Sequence, residues 1–209
     1  MSLMKKTLVG AGALVALVLG IATFQPNEFR VERGTAIQAP VQVTFDQVID
    51  FHKWEAWSPL AKLDPSMKTV YEGPTSGVGA SMSWEGDGKV GAGKMTLVES
   101  TPNQLIKIKV EFLKPFAATN TVEFMFRSQS ENQTAVVWTM NGKNNFMAKL
   151  MSMVTSMDRM VGGDFDRGLV ALKSTSESLA LTGTATLPTG SGVRAVAGAV
   201  VPPAPSSKK

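Results

Sequence analysis

The sequence predicts an α+β fold: a curved antiparallel sheet of six to seven strands wrapped around one long C-terminal helix, with two short helices after the first strand. Two patterns carry this expectation. From about residue 67 to 140, apolar and polar residues alternate in short runs divided by Gly, Pro, Asn and Asp, the mark of half-buried strands joined by hairpins. From about Asn145 to Leu181, apolar residues recur three or four apart, which is a helical stripe. Strands grouped before a single long helix define an α+β arrangement, and that helix is the element able to cover the apolar face of the sheet.

Each element has its own signal. Phe29 to Ala39 is extended and ends at Pro40, which disfavours helix at the residue before it. Pro40 is a good opening residue for a helix, and Val41, Phe45, Val48 and Ile49 follow at helical spacing. A second short turn, residues 52–60, carries Trp54 and Trp57 and should be stopped by Pro59. Met67 to Tyr71 reads as a strand. Ala80, Met82 and Trp84 alternate with polar residues up to a hairpin turn at Gly86-Asp87-Gly88. Val90 to Glu99 returns, with Met95 and Leu97 on one face. Ile106, Ile108, Val110 and Phe112 oppose Lys107, Lys109 and Glu111, so this strand has one dry face and one wet face. Val122, Phe124 and Phe126 repeat the pattern, and Val136, Trp138 and Met140 share a face of the last strand. On the helix the stripe is Phe146, Leu150, Met153, Met157, Val161, Phe165, Leu169 and Leu172, with Gly162-Gly163 expected to weaken or bend it.

The ends are of a different character. Lys5-Lys6 precede an uncharged run from Thr7 to Phe24. It suits either a secretory signal peptide, with Gly20 and Ala22 spaced like a cleavage site, or a short membrane anchor. Either would put the domain outside the cytoplasm, on the periplasmic side in a bacterium, tethered to the membrane or released after cleavage. The expected organisation is a signal or anchor segment over 1–27, a domain over 28–181 and a flexible tail over 182–209, rich in Gly, Pro, Ser, Thr and Ala.

Composition removes several function classes. The 209 residues include no cysteine, which excludes a disulfide framework, thiol catalysis and cysteine zinc sites. The net charge of +4 is matched by Lys5, Lys6, Lys208 and Lys209 alone. No concentrated basic patch remains for nucleic acid.

The stretches VERGTAIQAPVQVTFDQVIDFHKWEAWSPLAKLDPSMK, YEGPTSGVGASMSWEGDGKVGAGKMTLVES, LKPF, TAVVWTMNG and MDRMVGGDFDRGLVALK together resemble the START-like helix-grip superfamily, also called SRPBCC, and within it the polyketide cyclase/dehydrase proteins. The resemblance implies a hydrophobic small molecule or lipid held between sheet and helix. It also favours the anchor over the signal peptide, because members are often tethered by an N-terminal apolar segment. One departure is Leu60, where the family often has an aromatic residue after the Trp-Ser-Pro triplet; a wider or more aliphatic mouth is expected.

The expected function is therefore non-catalytic binding or transport of such a molecule. The expected cavity lining is Trp57, Met82, Trp84, Met95 and Phe112 from the first part of the domain, and Phe126, Trp138, Met153, Met157 and Phe165 from the second. Trp57 is expected to close the mouth near Ser58. No catalytic residue, metal or cofactor is assigned. The alternatives are a cyclase- or aromatase-like enzyme, for which His52, Glu85, Glu99 or Asp158 would have to point into the cavity, and an envelope interaction module with no ligand. Asp158 and Asp164 supply too few ligands for a metal. Asp164, Asp166 and Arg167 are expected to form surface pairs or to contact a loop, and Lys114-Pro115-Phe116 to pack an aromatic ring at the sheet edge. An enclosed apolar cavity of ~300 Å³ or more would fit a binder, and a solid core would fit the interaction module.

Overall fold

The computed structural model describes residues 25–144 and 156–185, together with positions 12, 13, 20, 23 and 149. Strand β1 (Glu28–Ile37) leads into helix α1 (Val41–Val48), a 3₁₀ turn (Phe51–Ala56) and helix α2 (Pro59–Leu63). Six strands follow: β2 (Lys68–Glu72), β3 (Ser81–Glu85), β4 (Ala92–Thr101), β5 (Leu105–Lys114), β6 (Ala118–Ser130) and β7 (Gln133–Lys143). Helix α3 (Met157–Ala185) closes the fold.

All neighbouring strands are antiparallel, in the order β1-β7-β6-β5-β4-β3-β2. Every step from β2 to β7 joins sequence neighbours. Only β1 is brought in from a distance, and α1, the 3₁₀ turn and α2 carry the chain from its edge to the opposite one. The sheet is left open. Register shifts at Ala92/Gly93, at Leu97/Glu99 and at Ser128/Ser130 add the local twist that lets it curl.

Alternation builds the two faces. Ile106, Ile108 and Val110 on β5, Val122 and Phe124 on β6, and Val136 and Trp138 on β7 are buried beneath α3. The other face of β5 is laced with charge: Lys107 Nζ lies 2.8 Å from Glu99 and 3.5 Å from Glu123. Phe165, Leu169 and Leu172 bury the inner stripe of α3, and Met157 and Val161 pack against the same core.

Several expectations need correction. Pro59 does not end a turn; it is the first residue of α2, where its missing N–H costs nothing. Pro40 stands just before α1 rather than inside it. The long helix begins at Met157, with Ser156 outside it: the Ser156 hydroxyl accepts from Arg159 N at 3.3 Å and so caps the first turn. It runs to Ala185 rather than Leu181. Phe146, Leu150 and Met153 lie outside the described residues.

Gly162-Gly163 do not interrupt α3. A Cβ at Gly162 would stand 2.3 Å from the Arg33 guanidinium, and one at Gly168 would stand 2.7 Å from the Trp138 ring. These glycines let β1 and β7 approach the helix. Phe116 is not packed at the sheet edge but 61% exposed. Among the described residues no helix is long and apolar enough to cross a membrane; the Thr7–Phe24 segment lies almost wholly outside them.

Gly93 shows how closely the sheet is fitted. It pairs with Trp84 across β3 and β4, and a Cβ there would meet the indole at 2.4 Å and the Glu111 carbonyl oxygen at 2.5 Å. The second contact is backbone and cannot swing away. Gly93→Ala is therefore expected to destabilise the domain by about 1–3 kcal/mol, seen in thermal melts as a drop of several degrees. An unchanged melting temperature would show that the Glu111 carbonyl does not stand over Gly93.

Candidate functional site

Between the sheet and the first half of α3 lies a cleft of about 220 Å³, covered at one side by α2. The sheet contributes Trp84 from β3, Met95 from β4, Val110 and Phe112 from β5, Val122 from β6, and Trp138 and Met140 from β7. Helix α3 contributes Val161 and Phe165, and α2 contributes Leu60 and Leu63. Polar groups are few: Ser58, Lys89 and Asp164.

Aromatic geometry fixes the inner wall. The Trp138 indole stacks on Phe165 at 4.1 Å, with the planes 12° apart, and on Phe124 at 4.8 Å and 29°. It is thus held between helix and sheet. Trp84 meets Phe112 edge-on at 5.8 Å, and its N–H donates to the Val90 carbonyl at 3.0 Å. Aromatic pairs in such geometries contribute beyond simple burial.

Of the ten residues expected to line a cavity, Trp84, Met95, Phe112, Trp138 and Phe165 do face this cleft. Trp57 does not close its mouth. It is fully buried, its N–H donates to the Gln47 carbonyl at 3.0 Å, and its ring packs edge-on against Trp138 at 5.9 Å. Phe126 is turned towards α1, edge-on to Phe45 at 5.3 Å. Met82 lines a second pocket of about 250 Å³ with Trp54, Leu60 and Tyr71. Met157 packs against the core rather than the cleft, and Met153 lies outside the described residues. Val110, Val122, Met140 and Val161 were missed. They share strand parity or helix phase with residues that were named, so the pattern held the signal. What separates Val122 from Phe126 is distance along the strand, which only the register supplies.

None of the four groups considered for catalysis lines the cleft. His52 stacks on Tyr71 at 4.1 Å, with Nδ1 2.9 Å from Asp50 Oδ1. The Lys114 ammonium donates to Glu85 at 2.8 Å, and the Lys107 ammonium to Glu99 at 2.8 Å. Asp158 receives the Arg33 guanidinium at 2.8 Å, and Arg33 also reaches Asp166 at 3.3 Å. The Arg33 hydrogen bond holds the Asp158 carboxyl below its ordinary value. Asp158 therefore ties α3 to β1, and Asp164 pairs with Arg167 on the same helix. Among the described residues no cluster of three His, Cys, Asp or Glu could hold a metal.

The chain belongs to the family described as polyketide cyclase / dehydrase and lipid transport, whose model matches residues 28–177. Its fold is that of the START-like helix-grip superfamily. Three solved structures illustrate it. The Zhui aromatase/cyclase from Streptomyces sp. R1128 is 14% identical, covering 72% of this chain and 94% of that one, with a TM-score of 0.53. A protein from Thermobifida fusca is 19% identical over 72% of this chain and 94% of its own, with a TM-score of 0.53. A hypothetical protein from Helicobacter pylori is 9% identical over 71% and 88%, with a TM-score of 0.54. At these identities the likeness is one of fold. No curated protein matches the chain.

Asp64 holds the edge of the cleft. It is buried at the end of α2, accepting from the Ser66 hydroxyl at 2.6 Å, from Ser66 N at 2.9 Å and from Asp87 N at 2.8 Å. The last bond ties α2 to the turn that bears Lys89 and Val90, both in the cleft wall. The Ser66 hydroxyl first, then the two backbone N–H groups, hold the carboxyl below its ordinary value of 3.8. A folded pKa below the unfolded one contributes stability above the unfolded value and loses it as the pH falls through the folded one. Asp64→Asn should therefore lower the urea midpoint at neutral pH, and the gap from wild type should close as the pH falls below 3.8. A gap that persists unchanged in acid would show that the carboxylate charge is not what holds the turn.

Proposed function

We propose that the domain binds a compact hydrophobic molecule of one or two rings in the cleft between the sheet and the C-terminal helix. The observation that carries this is the cleft itself: a space of about 220 Å³ whose wall is almost entirely aliphatic, aromatic and thioether side chains. Family membership supports the same reading, because the family description includes lipid transport.

Volume narrows the ligand. An apolar cavity of ~150 Å³ accepts benzene, whereas pockets for drug-sized molecules begin near ~300 Å³. The cleft lies between the two and falls short of the larger volume expected from the sequence. A ligand of one or two rings fits; a diacyl lipid or a sterol does not fit without the helix moving away. Transfer of ~150–200 Å² of ligand surface at ~25 cal/mol per Å² gives about 4–5 kcal/mol before association costs. Affinities of ~1 mM or weaker are the expected scale for a plain hydrocarbon. Met95 and Met140 suit a wall that must adapt to its contents.

The test fills the space. Val161 is half-buried on the helix side of the cleft, and Val161→Phe would project a ring into it. Saturation-transfer NMR with naphthalene should show binding to the wild-type chain and at least a ~10-fold weaker signal for the variant, with unchanged circular dichroism. Naphthalene binding that is absent from the wild type, or equal in the two proteins, would overturn the reading.

A further inference from the structure

The open sheet leaves two edge strands, β1 and β2, and an exposed edge is a liability that proteins usually blunt. Helix α3 does this for β1. The Lys173 ammonium donates to the Ala36 carbonyl at 2.8 Å, and the Glu177 carboxylate accepts from Gln38 N, just past the strand, at 2.7 Å. Among the described residues nothing comparable covers β2. All five of its residues are exposed, and no backbone group bonds to its outer side. The strand has no proline, no glycine and no bulge against β3.

The residues of β2 show what would pair with it. The strand reads Lys-Thr-Val-Tyr-Glu, with opposite charges at its ends and a β-branched residue at its centre. Lys68, Val70 and Glu72 stand opposite Glu85, Ser83 and Ser81 on the outer face of the sheet, and Thr69 and Tyr71 line the pocket shared with Met82. Laid antiparallel to a copy of itself about Val70, the strand is self-complementary. Lys68 meets the partner's Glu72, and two-fold symmetry makes this contact twice. Thr69 meets the partner's Tyr71, and Val70 meets the partner's Val70. Such facing pairs stabilise a sheet.

The neighbouring charges extend the match. Lys114 lies 2.8 Å from Glu85, and Glu85 stands opposite Lys68. Glu72 lies 2.7 Å from Lys94. Across the junction the row would therefore alternate in sign from Lys114 to the partner's Lys94. A parallel pairing would set lysine against lysine. A slip of two residues would leave both end charges unmatched, and a slip of one would reverse the faces.

We propose that β2 is a self-recognition edge, on which a second copy of the chain adds its own β2, antiparallel and centred on Val70. The five-residue strand makes a small interface, so the dimer is weak and depends on concentration. This contact is separate from the cleft and does not require a ligand.

The chain has no cysteine, so a single introduced thiol reports on the two-fold axis. Facing residues of antiparallel strands lie ~4.5–5.5 Å apart at Cα, within the span of a disulfide. Under mild oxidation of the full chain, Val70→Cys should cross-link at least ~10-fold faster than Val78→Cys, a loop position equally exposed at 57%. Adding Lys68→Glu or Glu72→Lys to Val70→Cys sets like charges face to face, and each should return the rate to that of Val78→Cys. Mixing these two double variants should restore it, because the introduced acid of one chain then faces the introduced base of the other. Restoration also shows that both variants are folded. Cross-linking at 70 no faster than at 78, indifference to either charge reversal, or failure of the mixture to recover would each overturn the proposal.

Discussion

The Phe165–Trp138–Phe124 stack is the contact on which the rest of the structure depends. It passes from α3 through β7 to β6, with ring centroids 4.1 Å and 4.8 Å apart. A helix gripped by a sheet needs one place where it touches down firmly, and large aromatic rings give the greatest buried area for the fewest frozen torsions. Gly168 makes the approach possible, since any side chain there would strike the Trp138 ring or Pro59. The same contact orders α2, whose first residue is Pro59. A second attachment, Arg33 reaching Asp158 and Asp166 across Gly162, holds the earlier turns of α3 to the edge strand β1.

The cleft follows from how these two attachments differ. The stack is wide and apolar. The Arg33 attachment is polar and ties the helix to the edge strand β1. Between them the inner surface of α3 offers Val161 and Asp164, side chains too small to reach the curled sheet opposite. Met95, Val110 and Val122 then face open space rather than a ring. Further along α3, Leu169 and Leu172 are buried in the core. One helix thus has a sealed half and an open half, and the sequence difference between them is a few side-chain volumes.

Much of this fold is legible in the sequence. Strict alternation in β5, β6 and β7 marked which residues face inward, because a strand has a period of two and one face must be dry. The helical stripe from Met157 to Leu172 was equally plain. The site was less legible. Phe126 and Val122 have the same parity and equal claim to a cavity, yet one packs on Phe45 and the other faces the cleft. That distinction depends on the β6–β7 register and on where α1 crosses. Trp57 resembled a mouth residue because it precedes Ser58 and Pro59, but its N–H reaches back to Gln47 and fixes it in the core. Gly162-Gly163 read as a weak point in the helix by propensity; the close contact of Gly162 with Arg33, like that of Gly168 with Trp138, is tertiary and leaves no local trace.

Sheet and helix leave apolar space between them rather than a solid core. Crystals pressurised with xenon test this most directly, because xenon occupies dry cavities without needing polar contacts. Xenon density bounded by Met95, Val122, Val161 and Phe165 is the expected result. A structure in which these four side chains meet one another, with no xenon between them, would contradict it.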